Sequence, residues 1–212
     1  MEKLLFIHGF NSNGNAVKAQ VMQRCLTDYE TISPTIDYYK LTPKEVMQQL
    51  GGLIRQHHPL LTVGSSLGGY YSIACSAAFG IPVLAINPTT EPMAVKKVPL
   101  GKVPFLASLA VAINNKPERG ERKNLAKDFA LGEKIIEAYK RFQTEVFDKA
   151  IPEGKNLNFA LATDDELLGS HRYLEEKYPQ HNKILYHDNC GHHFTQFESI
   201  IPWVKELIEA YR

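Results

Sequence analysis

Leu61-Thr62-Val63-Gly64-Ser65-Ser66-Leu67-Gly68-Gly69-Tyr70 is the stretch that decides how this chain is read. An apolar run leads into Gly-x-Ser-x-Gly at Gly64, Ser66 and Gly68, and a helical pattern follows. A sharp strand-to-helix turn holds a serine in a strained conformation, and glycine at the flanking positions lets neighbouring backbone pass close by. The turn exposes the hydroxyl and aims the next helix's N-terminus at negative charge developing beside it. A glycine-rich turn with two capping serines would use the same residues. The strand before it and the helix after it favour a nucleophile at Ser66.

Outward from this turn, short apolar runs alternate with longer amphipathic ones. Residues 3–8, 31–36, 60–64, 83–86, 157–162 and 183–187 read as buried strands bounded by Gly, Pro or Asn. Thr42-Pro43-Lys44-Glu45 is a capping box with proline at the first helical position, opening a helix with Val46, Met47, Leu50, Leu53 and Ile54 on its apolar face. The closing helix aligns Ile200, Val204, Leu207, Ile208 and Tyr211, with Pro202 near its start. Such alternation predicts an α/β fold: a mostly parallel sheet with helices on both faces. Residues 88–150 break the rhythm, with Pro92, Pro99, Pro104 and Pro117, an apolar patch at 103–113 and a charged stretch at 116–123. Residues 124–150 read as helix, interrupted at Gly132. The segment is either a long crossover or a small cap insertion over the sheet's active edge.

Composition narrows the class. A chain of 212 residues fits one domain, taken here as 1–212 with the cap insertion at 88–150. With 24 Lys+Arg against 23 Asp+Glu, the charge of +1 gives no broad basic face for nucleic acid. A hydrophobic content of 44% argues against disorder, and no apolar run is long enough for a membrane helix. Met1-Glu2-Lys3 runs into an apolar stretch that His8-Gly9 ends too early for a signal sequence. Cys25, Cys75 and Cys190 are odd in number and widely spaced, which predicts reduced thiols in a cytoplasmic protein.

A serine nucleophile needs a base, and that base needs a partner to orient it. Asn189-Cys190-Gly191-His192-His193-Phe194 lies after the last strand, at the carboxyl edge where Ser66 also falls. His192 is the expected base. His57 and His58 read as a solvated helix end, His171 and His181 as surface residues, and His187 as packing. Thr163-Asp164-Asp165-Glu166 follows another strand, and Asp165 is the expected third member, ahead of Asp164 and Asp188. These acids would also suit the cap of a following helix. The order Ser66, Asp165, His192 is that of α/β-hydrolases rather than of chymotrypsin-like or subtilisin-like enzymes. Phe6-Ile7-His8-Gly9-Phe10-Asn11-Ser12 adds a strand ending at a glycine-containing loop. The backbone N–H groups of Phe10 and Leu67 are the expected oxyanion donors, with His8 tying the loop down. His187, Asp188, Cys190, His192 and His193 crowd into a short stretch that could suggest zinc. No distal Cys or His pair closes a tetrahedral set, so no metal is expected.

His8-Gly9-Phe10-Asn11-Ser12, Ser66-Leu67-Gly68-Gly69-Tyr70-Tyr71, Asn87-Pro88, Asp165-Glu166 and His192-His193-Phe194 together resemble the small bacterial YqiA/YcfP-like (UPF0227) esterases of the α/β-hydrolase superfamily. The resemblance spans nearly the whole chain and is weakest across 88–150. It implies a three-layer α/β-hydrolase fold, no cofactor, and hydrolysis of small acyl esters or thioesters. It also implies Asp165 rather than Asp164, and His192 rather than His193. A catalytically silent relative that binds a ligand or partner through the same cleft is the alternative.

Overall fold

Six parallel strands form one sheet in the order β2-β1-β3-β4-β5-β6. They are β1 (Glu2–Ile7), β2 (Tyr29–Ile32), β3 (Leu61–Ser65), β4 (Val83–Ile86), β5 (Leu157–Ala162) and β6 (Lys183–His187). The computed structural model describes residues 1–90, 92, 125–148, 156–168, 174 and 183–212. The expected apolar patch at 103–113 and charged stretch at 116–123 lie outside them.

Period-two alternation along each strand separates two cores. Leu5, Ile7, Val83, Ala85, Phe159 and Leu161 face one side, where α2 (Pro43–His57), α3 (Leu67–Phe79) and α4 (Leu125–Phe142) pack. Leu4, Phe6, Leu61, Val63, Leu84 and Ile86 face the other, covered by α1 (Val17–Cys25) and α5 (Ile201–Ala210). The result is a three-layer sandwich of the α/β-hydrolase fold. Every strand runs the same way, so all strand-end loops that could carry chemistry meet at one edge.

The capping box forms as expected. The Glu45 N–H donates to Thr42 Oγ1 at 3.4 Å, while the Thr42 N–H donates to Glu45 Oε2 at 2.7 Å. Two expectations need correction. The second strand is Tyr29–Ile32 rather than 31–36, pairing Glu2 with Tyr29 and Leu5 with Ile32. Pro34 has no N–H to continue a ladder, so the chain leaves the sheet there. The helix expected at 124–150 passes Gly132 unbroken as Leu125–Phe142, then widens into a π turn at Gln143–Phe147. One glycine costs a helix only about 1 kcal/mol, and strong helix formers flank this one. The wider turn occurs where Gln143 donates from Nε2 to the Thr90 carbonyl at 3.1 Å and accepts from the Tyr70 hydroxyl at 3.0 Å. Ile135, Tyr139, Phe142 and Phe147 are buried in the core, so this part of the 88–150 segment belongs to the helical layer. Among the described residues, no helix is long and apolar enough to cross a membrane.

Candidate active site

Ser66 stands at the N-terminus of α3 with φ 54° and ψ −117°, a conformation that costs a non-glycine residue energy. Surrounding contacts hold it there. Its N–H donates to the Ile86 carbonyl at 2.9 Å, and its carbonyl accepts from the Thr89 N–H at 3.1 Å. A Cβ on Gly64 would fall on Ser72 Oγ and the Gly68 carbonyl, and one on Gly68 would fall on the Ile7 carbonyl. Only glycine lets β1, β3 and α3 approach this closely.

His192 is 5% exposed, and its ring bridges two groups. Nε2 lies 2.9 Å from Ser66 Oγ, and Nδ1 lies 2.9 Å from Asp165 Oδ2 and 3.2 Å from Oδ1. An ionised carboxylate can only accept, so Nδ1 carries the proton and Nε2 accepts from the serine hydroxyl. Asp165 is 4% exposed, and its Oδ1 also accepts from the N–H groups of Leu167 at 2.9 Å and Leu168 at 2.8 Å. One carboxylate therefore both caps the following turn and meets the imidazole.

The rival acids are engaged elsewhere. Asp164 Oδ1 accepts from the Gly191 and Cys190 N–H groups at 3.1 and 3.0 Å, and Glu166 Oε2 accepts from the His192 N–H at 2.9 Å. The Gly191 N–H chiefly holds the Asp164 carboxyl below its ordinary pKa, and the His192 N–H does the same for Glu166. Asp188 accepts from the Thr163 hydroxyl at 2.6 Å. His193 is exposed, and its carbonyl accepts from the Lys18 ammonium. His187 meets Ser199 Oγ at 2.8 Å and Cys190 Sγ at 3.1 Å. Among the described residues, no group of three or more His, Cys, Asp or Glu is arranged to hold a metal ion. His57 lies 3.2 Å from the Lys3 ammonium, and His58 ends α2 in the left-handed region at φ 45°. His171 and His181 lie outside the described residues.

The loop after β1 packs against the serine. A Cβ on Gly9 would stand 3.3 Å from Ser66 Cβ and 3.1 Å from the Ser65 carbonyl. Leu67 occupies the first position of α3, where an N–H has no carbonyl within the helix. His8 is fully buried and anchors the loop from three atoms. Its Nδ1–H donates to the Gly9 carbonyl at 2.7 Å, its Nε2 accepts from the Ile36 N–H at 2.9 Å, and its carbonyl accepts from the Tyr38 hydroxyl at 2.7 Å. That pattern needs a neutral ring, and burial pushes the His8 pKa down.

Two residues of the site went unassigned in the sequence. Asn87 follows β4 at φ 39° and is fully buried. Its Nδ2 donates to the Gly191 and His192 carbonyls, each at 3.0 Å, and its Oδ1 accepts from the Ala162 N–H at 2.8 Å. Thr89 places its Oγ1 3.3 Å from Ser66 Oγ. The available signal was an Asn-Pro pair directly after an apolar run. A cleft of about 660 Å³ opens over Ser66 and His192, between loop residues 9–12, α1 and residues 192–198.

The family model described as "Uncharacterised protein family (UPF0227)" matches residues 3–209. Three solved structures share the architecture at low identity. A Burkholderia cenocepacia protein given a provisional aryl esterase assignment superposes with a TM-score of 0.70 at 16% identity, covering 99% of this chain and 90% of that one. A monoacylglycerol lipase from Paleococcus ferrophilus gives 0.62 at 14%, covering 99% and 95%. The thioesterase domain from the curacin biosynthetic pathway gives 0.60 at 13%, covering 98% and 90%. At these identities the likeness is one of fold.

Proposed function

The chain belongs to the uncharacterised protein family UPF0227, and from its Ser66–His192–Asp165 array we propose a serine hydrolase that cleaves small acyl esters or thioesters. The observation that carries this reading is the continuous hydrogen-bonded chain from Ser66 Oγ through both ring nitrogens of His192 to Asp165. Ser66 attacks the acyl carbonyl while His192 Nε2 takes its proton. Asp165 holds the imidazole in the Nδ1–H tautomer and stabilises the imidazolium that forms. The N–H groups of Phe10 and Leu67 hold the oxyanion, and each such donor contributes about 3–4 kcal/mol where similar donors have been removed. His192 returns the proton to the leaving oxygen or sulfur. Water activated by the same nitrogen then releases the acyl group from Ser66.

Support comes also from the fold's occurrence in a lipase, a thioesterase domain and a protein provisionally assigned as an aryl esterase. Cys25, Cys75 and Cys190 are free thiols, which fits a reducing, cytoplasmic setting.

The test is hydrolysis of short p-nitrophenyl esters and acyl-coenzyme A by wild type and Ser66→Ala. Loss of at least about a thousandfold in kcat is expected, and unchanged turnover would overturn the assignment. A fluorophosphonate should label Ser66 stoichiometrically and fail to label His192→Ala. Absent labelling of the wild type would favour a silent, ligand-binding relative.

A further inference from the structure

The cleft over Ser66 has an uneven charge balance. Among the described residues, its only lining side chains with a fixed charge are Lys18, Arg24 and Glu198. Arg24 and Glu198 neutralise each other, with Nη2 to Oε2 at 2.8 Å. Lys18 is left over. Its ammonium donates to the His193 carbonyl, on the loop that carries the base. Among the described residues, no carboxylate forms an ion pair with it. Burial lowers its pKa to about 8, so the group remains mostly protonated at neutral pH. An anchor for one carbonyl requires no charge, and the ammonium retains two further N–H donors.

We infer that Lys18 makes this cleft selective for esters carrying a single carboxylate away from the scissile bond. The single charge follows from the single unmatched cation: a dianionic phosphate would leave one charge uncompensated in a partly desolvated site. The near-neutral chain as a whole agrees, since a net charge of +1 gives little long-range pull on polyanions. The inference rests on the serine hydrolase reading and names the substrate class of that same site.

Matched ester pairs test it. On the acyl side, p-nitrophenyl monoesters of glutarate and adipate are compared with the neutral valerate and caproate esters. On the alcohol side, 4-acetoxybenzoate is compared with its methyl ester. Wild type should show a kcat/KM at least about tenfold higher for the anionic member on one of the two sides, the size of one charge-assisted hydrogen bond. The preference should shrink with added salt, survive in Lys18→Arg, vanish in Lys18→Met and invert in Lys18→Glu. Each variant is read as a ratio between paired substrates, so a general loss of activity cancels. A wild-type preference for the neutral member on both sides overturns the inference, as does an undiminished anion preference in Lys18→Met. Ser66-dependent turnover without any Lys18-dependent preference defeats this inference alone. Turnover that persists in Ser66→Ala defeats the hydrolase reading beneath it.

Discussion

Asp165 divides its two oxygens between tasks, and substitutions can separate them. Asp165→Asn keeps an oxygen for the Leu167 and Leu168 N–H groups but removes the charge that steadies His192. The expected result is a fall in kcat of about 10³–10⁴, the size seen when a triad aspartate becomes asparagine elsewhere, with near-wild-type stability in urea. Asp165→Ala should lose activity and unfold at lower urea as well. Asn87→Ala strands the His192 carbonyl and the Ala162 N–H in a buried place, which should cost about 2–3 kcal/mol by chemical denaturation and lower kcat through the displaced histidine loop. The sequence revealed Ser66, His192 and Asp165 as candidates because each follows an apolar run at a strand end, and parallel strands bring such ends together. Asn87 resisted that reasoning. Its value lies in which carbonyls surround it, and those come from residues more than seventy positions away.

Close approach between α3 and the end of β1 defines the serine turn. Gly68→Ala would drive a methyl group into the Ile7 carbonyl, next to the start of the loop that packs against Ser66. The helix must shift, and overpacking of this kind typically costs about 1–3 kcal/mol. Activity should fall further than stability, as thermal melts and ester turnover on the same sample would show. Strand and helix positions were largely legible at this scale, because hydrophobic period and capping residues are local properties. Two bounds were not. The exit of β2 depends on Pro34 denying the ladder a donor, and the π turn depends on Gln143 reaching Thr90 from another element. Continuation through Gly132 reflects the helix formers around it outweighing one glycine.

Acid should weaken the whole molecule in two stages. The folded-state pKa of His8 is depressed from its ordinary 6.5, so the unfolded chain takes up the proton first. Stability therefore falls as pH drops below about 6.5 and continues to fall until the folded ring also titrates. Asp164 and Glu166 are depressed from 3.8 and 4.5, so their contribution is full above those values and is lost as pH falls through the lower folded-state ones. Urea unfolding against pH would resolve the stages, and His8→Gln should flatten the first while leaving the second. The second stage concerns a loop held by its main chain: Asp164, Glu166 and Asn87 grip residues 190–192 through backbone N–H and C=O groups. The exposed His193 side chain lines the cleft from the same loop, outside that set of backbone contacts. Replacing His193 should therefore alter what the cleft presents to a ligand while the main-chain clamp keeps His192 where it is, so the recognising surface and the scaffold beneath it are separable by mutation.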